Sequence, residues 1–264
     1  MKRQLMGYGA TSDVYEWHDH TVLKLFKPHI EDQMIDYEGL IHEIVYAKGL
    51  SMPRLIEEIE VEGRRGYIFE RINGKTILFH LTKKIWKAYF YGKCLAKTQL
   101  NIHEKTAPLL PDVKEHLRRS INKVVDLPVD LVELVMKTIN ELPDGEAICH
   151  MDFHPRNVFY YEKKATVIDW VTAAKGHPAA DVARTFILLK YEALHKEEPR
   201  VFMWMFYLAR KILIWSYLKA YFKAASMDFD MIKPWLLPMA IARMSEPIGQ
   251  DERAALYQDF VVLD

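Results

Sequence analysis

The chain has 264 residues, of which 50% are hydrophobic and 12% aromatic, enough to bury a large core in one or two domains. Lys and Arg number 36, as do Asp and Glu, so no overall electrostatic field recruits nucleic acid or an anionic membrane. The amino terminus lacks an apolar secretion signal, and Arg210 and Lys211 interrupt the most apolar run, residues 201–218. We therefore predict a cytoplasmic globular protein with two reduced cysteines, Cys94 and Cys149.

The first 26 residues alternate small and β-forming side chains around a polar turn, which predicts a β-hairpin with Thr21–Phe26 as its second strand. Gly7, Gly9 and Ser12 have the spacing Gly-x-Gly-x-x-Ser, in which the missing side chains let backbone N–H groups approach a phosphate. Lys24 lies among apolar residues of the second strand. An ammonium group is costly there unless it meets a phosphate or a carboxylate.

The apolar pattern of residues 31–50 predicts a helix. A carboxylate on this helix could supply the partner that the charge of Lys24 needs, and Glu38 and Glu43 are the two candidates. At about 100° per residue, Glu38 falls beside Ile41 and Val45, whereas Glu43 falls away from that apolar stripe. We therefore predict that Glu38 is the partner of the lysine and that Glu43 is an ordinary solvated residue.

Residues 55–61 and 65–72 predict a second hairpin, joined by a Glu-Gly-Arg turn. After Ile72 the composition changes from β-forming to helical. We therefore place a domain boundary at this point, between a β-rich N-terminal domain of residues 1–72 and a helical C-terminal domain of residues 73–264.

Most of the C-terminal domain has apolar residues at helical spacing. Helices are predicted over residues 83–104, 109–127, 131–142, 181–194, 200–225, 230–245 and 250–260. The aromatic residues of the 200–225 segment ring the helix, so core packing explains most of them. The others are candidates for the lining of an acceptor pocket.

Residues 148–170 predict two short apolar strands joined by a loop, with Asp152, Asn157 and Asp169 at or beside the strand ends. Two carboxylates and one amide oxygen suit a phosphate-bound Mg²⁺, which keeps several waters and takes only one or two carboxylates. Asp152 is then free to accept or orient a hydroxyl proton, while Asn157 and Asp169 hold the metal.

The pattern His-x-Asp-x-x-x-x-Asn at residues 150–157, followed by Ile-Asp-Trp at residues 168–170, resembles the aminoglycoside phosphotransferase and choline kinase branch of the protein-kinase-like fold. This resemblance implies an α+β, two-lobed protein-kinase-like fold with a small β-rich N-terminal lobe and a larger, mostly helical C-terminal lobe. It also implies that backbone groups near Glu70 and Ile72 pair with the adenine edge of ATP. Asp181 either braces the catalytic loop, as in this family, or serves as a helix N-cap.

The sequence therefore predicts an ATP-dependent phosphotransferase that moves the γ-phosphoryl group to a hydroxyl of a small molecule, assisted by Mg²⁺, with Asp152 as the base. GTP is an alternative nucleotide. Two other functions stay open. One is a nucleotide-binding pseudokinase or regulatory module. The other is a hydrolase in which His150, Asp152 and His154, alternating along a strand, bind Zn²⁺ or Fe²⁺.

The expected partner is a small-molecule hydroxyl acceptor, without nucleic acid or membrane, and the sequence does not indicate an oligomeric state. Residues 199–227 contain no Asp or Glu but five Lys and Arg residues. Because a buried polycation needs compensating carboxylates, we expect a neutral or anionic acceptor rather than an aminoglycoside. Asp251 and Glu252 would weaken this expectation if they folded back toward the acceptor pocket.

Overall fold

The computed structural model describes residues 4–125, 127–192 and 200–262. The N-terminal lobe contains one antiparallel sheet, built from β1 (Leu5–Tyr8), β2 (Ser12–Glu16), β3 (Thr21–Phe26), β4 (Leu55–Val61) and β5 (Arg64–Glu70). The strands lie in the order β1-β2-β3-β5-β4. The first predicted hairpin is therefore three strands. Its first segment turns where the Gly9 N–H donates a 2.8 Å hydrogen bond to the Ser12 carbonyl.

Helix α1 (Asp32–Tyr46) covers one face of this sheet, and its position determines the surroundings of Lys24. Phe26 packs with Ile35 of the helix and with Tyr67 of β5. Because side chains two residues apart in a strand share a face, Lys24 lies on the face that the helix covers. The opposite face has its own small apolar cluster, which includes Leu23.

The C-terminal lobe is mostly helical, as predicted. Its helices are α2 (Ile77–Lys83), α3 (Ala88–His103), α4 (Val113–Ile121), α5 (Val129–Glu141), α6 (Pro178–Tyr191), α7 (Arg200–Ala225), α8 (Phe229–Met244) and α9 (Gln250–Phe260). The α+β, two-lobed fold predicted from the sequence is therefore confirmed. Among the described residues, no helix has the length and apolar content needed to cross a membrane.

Several helix boundaries differ from the prediction. The segment predicted as one helix over residues 83–104 contains the end of α2 and a short 3₁₀ turn before α3 begins. Helix α4 is much shorter than residues 109–127, because the Asp112 carboxylate caps it by accepting the N–H of Lys114 at 2.8 Å. Helix α6 begins three residues before Asp181, with His177 as its N-cap, so the N-cap role for Asp181 is wrong.

The C-terminal lobe also contains five short strands: β6 (Lys75–Thr76), β7 (Ala147–Cys149), β8 (Val158–Tyr161), β9 (Lys164–Val167) and β10 (Ala174–Gly176). Strand β8 pairs with β6 and β9, and β10 pairs with β7. The Val167 N–H donates a 2.8 Å hydrogen bond to the carbonyl of Ser51, which follows α1. This contact joins the sheet of the small lobe to the strands that carry the predicted catalytic residues. The boundary at Ile72 remains a prediction.

Candidate active site

The predicted catalytic residues lie in a loop between β7 and β8. Strand β7 ends at Cys149, and the backbone of Met151 takes a positive φ of 64°, so the chain leaves the extended conformation before Asp152. His150, Asp152 and His154 therefore do not alternate along a strand. The geometric basis of the hydrolase alternative is wrong.

The hydrogen bonds of His150 also argue against a metal ligand. Its Nε2 donates to the Ile168 carbonyl at 3.0 Å, and its Nδ1 accepts the Asp152 N–H at 3.2 Å. Burial lowers the pKa of His150, which keeps the ring neutral with both nitrogens occupied. Among the described residues, no three His, Cys, Asp or Glu side chains are grouped to hold a metal ion. His150 braces the loop.

Asp152 is held by the two side chains that follow it in the loop. The Asn157 amide nitrogen donates to the Asp152 Oδ2 at 2.9 Å and to its backbone carbonyl at 3.0 Å. The His154 Nε2 lies 3.4 Å from the same carboxylate oxygen. Burial alone would raise the pKa of Asp152, but His154, with help from Arg184 and His150, lowers it below its usual value. Asp152 is therefore ionised at neutral pH.

Asn157 and Asp169 meet at one end of the β8–β9 hairpin. The Ile168 N–H donates a 3.0 Å hydrogen bond to the Asn157 carbonyl, and Asp169 follows with a positive φ of 65°. The Asn157 amide nitrogen is occupied by Asp152, so its oxygen is the group available for a metal. The Asp169 side chain is 44% exposed. A carboxylate and an amide oxygen fit the hard-oxygen chemistry of Mg²⁺.

Lys24 bridges the small lobe and Asp169. Its Nζ lies 2.5 Å from the Glu38 Oε1 and 3.9 Å from the Asp169 Oδ1. Burial works against the ammonium group, but the charges of Glu38 and Asp169 outweigh it and raise the pKa of Lys24. Glu43 is exposed on the other side of α1, as the helical phase predicts.

Gly7, Gly9 and Ser12 lie at the turn between β1 and β2, and the fold itself does not require the two glycines. A Cβ at Gly7 would meet nothing within 4 Å, and a Cβ at Gly9 would make only an ordinary 3.5 Å contact. Lys27 donates a 2.6 Å hydrogen bond to the Gly9 carbonyl, and Ser12 is buried. Internal packing therefore does not explain these two glycines. Close approach of a ligand to the backbone would explain them.

Glu70 and Ile72 lie at the end of β5 and line a cavity of about 440 Å³. The cavity also contacts Ser51 and Phe159, whereas Lys24 and Asp169 are not among its lining residues. Within the described part of the chain, the structure gives the Ile72 N–H no hydrogen-bond partner. That donor is available to a nucleotide base, and the nucleotide contacts of Glu70 and Ile72 remain predictions.

The first turns of α6 hold the residue before Asp152 from both sides. The Met151 N–H donates to the Asp181 Oδ1 at 2.7 Å, and the Arg184 Nε donates to the Met151 carbonyl at 3.0 Å. Asp181 was expected from the family resemblance. Arg184 was missed, although an arginine within an otherwise apolar helical run is a signal that the sequence offered.

The Asp181 carboxylate is itself fixed by helix α3. Its Oδ2 accepts hydrogen bonds from Gln99 at 2.8 Å and from His103 at 2.9 Å. Burial would raise the pKa of Asp181, but His103 and Gln99 lower it. The brace on the catalytic loop is therefore a charged group with its lone pairs satisfied, as a buried carboxylate requires.

A small cavity of about 80 Å³ lies beside the catalytic loop. It is lined by Pro155 and Arg156 of the loop and by residues of α2, α6 and α7. The Arg156 Nε pairs with the Glu192 Oε1 at 3.0 Å, so the carboxylate of this lining already has a cation. Glu252 is not among the lining residues. It is buried, and its carboxylate accepts a 2.7 Å hydrogen bond from Arg243.

Solved structures with the same fold cover nearly the whole chain. An amicoumacin kinase in complex with AMP-PNP and Ca²⁺ has 15% identity over 97% of this chain and 86% of its own, with a TM-score of 0.61. A type VIII aminoglycoside-3'-phosphotransferase has 14% identity over 93% of each chain, with a TM-score of 0.61. A choline kinase from Cryptosporidium parvum has 12% identity over 98% and 87%, with a TM-score of 0.57.

Among curated proteins, the comparison finds no significant match. The model of the family described as "Phosphotransferase enzyme family" matches residues 4–202. The resemblance inferred from the His-x-Asp-x-x-x-x-Asn pattern is thereby confirmed. With three quarters of its length matched and its fold shared with aminoglycoside and choline kinases, the chain belongs to the phosphotransferase enzyme family.

Proposed function

We propose that this protein transfers the γ-phosphoryl group of ATP to a hydroxyl group of a small molecule. The observation that carries the proposal is the grouping of Asp152, Asn157, Asp169 and Lys24 at the junction of the lobes, with each side chain fixed by another residue. The absence of one of these four side chains would favour a pseudokinase, and all four are present in this chain.

Lys24 and the glycine turn are assigned to the nucleotide. The pair with Glu38 supports this role, because it keeps the ammonium charged and aimed at the gap beside Asp169. Backbone N–H groups around Gly7 and Gly9 can approach phosphate oxygens without steric hindrance. The unpaired Ile72 N–H is a hydrogen-bond donor for the base of ATP, and GTP is the alternative to be tested.

Asn157 and Asp169 are assigned to Mg²⁺, whose charge would offset the negative charge of the phosphates when it is bound. The amide nitrogen of Asn157 fixes the Asp152 carboxylate while its oxygen stays available. The amicoumacin kinase was solved with AMP-PNP and Ca²⁺, which are a nucleotide and a divalent metal. That complex supports, by analogy, a nucleotide and metal site in this chain.

Asp152 is assigned to the acceptor hydroxyl. As an ionised carboxylate it can accept the hydrogen bond of the hydroxyl and turn the oxygen toward the phosphorus. Its lowered pKa makes it a weak base. A late proton transfer fits the loose transition state of phosphoryl transfer, in which the attacking oxygen keeps its proton until bond formation is advanced.

The test is transfer from radiolabelled Mg·ATP or Mg·GTP to a panel of aminoglycosides, amino alcohols, sugars and nucleosides, with the product identified by chromatography. We expect a labelled phosphate ester with at least one acceptor. Asp152→Asn should abolish transfer while the dissociation constant for Mg·ATP stays close to wild type. Asp169→Asn should weaken Mg·ATP binding, because it removes a metal ligand of full charge.

Two results would contradict the proposal. Tight Mg·ATP binding without transfer to any acceptor would favour the regulatory module. Equal loss of Mg·ATP affinity in Asp152→Asn and Asp169→Asn would refute the separation of their roles. Glu43→Gln is the matched control, since it changes an exposed carboxylate on the same lobe, and it should leave both affinity and transfer unchanged.

A further inference from the structure

Helices α3 and α7 together present an exposed surface of aromatic and basic side chains. On α7, residues at positions 204, 207, 208, 211, 215 and 219 follow the spacing of a single helix face. A parallel stripe runs from the turn before α3 along that helix. The members of this aromatic-basic surface are Trp86, Tyr89, Lys93, Lys97, Trp204, Tyr207, Leu208, Lys211, Trp215 and Lys219, all of them exposed.

The close packing of the two helices makes the surface continuous. A Cβ at Gly92 would lie 1.9 Å from the Ser216 Oγ, so only glycine lets the helices come this near. Tyr217, on the inner face of α7, is fully buried. At the outer edge of the contact, the rings of Tyr89 and Trp215 are 5.9 Å apart. The two outward stripes therefore meet and form one face.

The surface is locally basic although the whole chain is electrically balanced. Residues 71–103 and 199–227 contain no Asp or Glu. The ammonium groups of Lys93, Lys211 and Lys219 lie 5.6, 4.5 and 4.7 Å from the rings of Tyr89, Tyr207 and Trp215. Within the described residues, no carboxylate pairs with these three lysines. Their charge is thus free to attract an anionic partner.

The apolar part of the surface is too exposed to be explained by core packing. Trp86 is 73% exposed, Trp204 65% and Trp215 53%, and the aliphatic Leu208 and Ile212 lie beside them. Contiguous apolar patches of this kind on a soluble protein mark an interaction site. Trp and Tyr mixed with Lys are typical of segments that lie at the boundary between lipid headgroups and acyl chains.

We propose that the aromatic-basic surface docks this protein onto a lipid bilayer that contains anionic lipids. The lysines attract the headgroups, and the indole and phenol rings enter the headgroup layer beside Leu208 and Ile212. A second copy of the chain is a poor occupant, because a symmetric contact would bring lysines against lysines without acids. Nucleic acid stacks on aromatic rings but gains nothing from exposed leucine and isoleucine.

This proposal departs from the expectation that no membrane is involved. That expectation rested on the overall charge, which is balanced, and on the lack of a spanning helix, which the described residues bear out. Surface docking needs neither a net charge nor a spanning segment. It is also independent of the phosphotransferase activity, since none of the surface residues lines the cavity beside the catalytic loop.

The test is cosedimentation of the purified protein with vesicles of phosphatidylcholine alone or of phosphatidylcholine mixed with phosphatidylserine, at low and at physiological salt. We expect binding at least about tenfold tighter to the mixed vesicles, and weaker binding as salt rises. Lys211→Glu combined with Lys219→Glu should reduce binding about tenfold or more. Trp204→Ser combined with Trp215→Ser should reduce it to a similar extent.

The matched control is Lys137→Glu combined with Leu109→Ser, which changes an exposed lysine and an exposed leucine elsewhere in the C-terminal lobe and should leave binding unchanged. All variants should keep the wild-type melting temperature and Mg·ATP affinity. Equal binding to both vesicle types, or no binding to either, would overturn the proposal. So would a homodimer that the surface variants dissociate, or tighter binding of the surface to a single-stranded oligonucleotide than to vesicles.

Discussion

The Met151 N–H donates a 2.7 Å hydrogen bond to the Asp181 Oδ1, across 30 positions of sequence and at the residue immediately before Asp152. Met151 has a positive φ of 64°, which a residue with a side chain adopts at a cost of about 1 kcal/mol or more. Arg184 holds the carbonyl of the same residue. Helix α6 thus stabilises the turn that precedes Asp152 and orients it.

The first prediction concerns this brace. Asp181→Ala should lower kcat about 100-fold, which corresponds to about 2.7 kcal/mol of transition-state stabilisation, because Asp152 loses its orientation. The dissociation constant for Mg·ATP should change little. Thr185→Ala is the control, since Thr185 is equally buried and shares Gln99 as a partner but does not contact Met151. Equal loss of kcat in both variants, with equal loss of melting temperature, would mean that Asp181 acts only through stability.

The second prediction concerns the lysine of the small lobe. Lys24→Ala should lose most transfer activity, and Glu38→Gln should lose at least tenfold more than Glu43→Gln. The reason is the 2.5 Å contact between Lys24 and Glu38, which an exposed Glu43 cannot replace. Steady-state kinetics at saturating acceptor, with ATP varied, would measure it. A larger effect in Glu43→Gln would show that the helix contact is not the functional one.

Much of this arrangement was predictable because it depends on local periodicity. The helical phase selected Glu38, and the predicted ranges of α7 and α9, Arg200–Ala225 and Gln250–Phe260, are those of the structure. The spacing from Asp152 to Asn157 predicted that their side chains lie together. Strong periodicity and short separations leave few alternatives for the chain to adopt.

Other features depend on contacts between distant segments and could not be predicted. The positive φ of Met151 has no local sequence signal, because it is imposed by Asp181 and Arg184 from another helix. The wrong strand assignment of His150 and His154 follows from the same turn. The shared outer face of α3 and α7 depends on the close contact of Gly92 with Ser216. The sequence of either helix alone does not reveal that the other helix packs beside it.

The third prediction is a shift in the pH profile. His154 is the main group that lowers the pKa of Asp152, so His154→Phe should raise that pKa toward its usual value. A protonated Asp152 cannot accept the hydroxyl proton. The acid limb of kcat/KM should therefore move to higher pH in the variant, with less change near pH 8. His80→Phe is the control, because His80 stacks on Tyr91 and bonds the Tyr160 carbonyl, away from Asp152. Superimposable profiles for both variants would contradict the role of His154.

The fourth prediction concerns stability in acid. His42 is buried with its Nε2 unpaired, and burial lowers its pKa from 6.5 to about 4. The unfolded chain therefore takes up a proton at a higher pH than the folded chain. The contribution of neutral His42 to the free energy of unfolding is fully present above pH 6.5 and is lost as the pH falls toward 4. At pH 5 the loss is about 2 kcal/mol.

Urea unfolding at pH 7.5 and pH 5 would measure this loss. Between the two pH values, the free energy of unfolding of His42→Leu should fall by about 2 kcal/mol less than that of the wild type. This difference does not depend on the stability of the variant at pH 7.5. His29→Leu is the control, because His29 is exposed, and it should follow the wild type. An identical pH dependence of the free energy of unfolding in His42→Leu and the wild type would show that His42 does not titrate differently in the folded chain.

The last prediction is that polycationic aminoglycosides are poor acceptors, although an aminoglycoside-3'-phosphotransferase shares the fold of this chain. Each desolvated ammonium group of such an acceptor needs a carboxylate in the pocket. Beside the catalytic loop, the described lining has one carboxylate, Glu192, and Arg156 already pairs with it. Glu252 is buried, and its carboxylate is already paired with Arg243. We therefore expect kcat/KM below about 10⁴ M⁻¹s⁻¹ for kanamycin, neomycin and gentamicin, and higher values for a neutral or anionic alcohol from the acceptor panel. Arg156→Ala would free Glu192, and a rise in aminoglycoside turnover in that variant would support the argument. Efficient turnover of any of the three by the wild type would refute it.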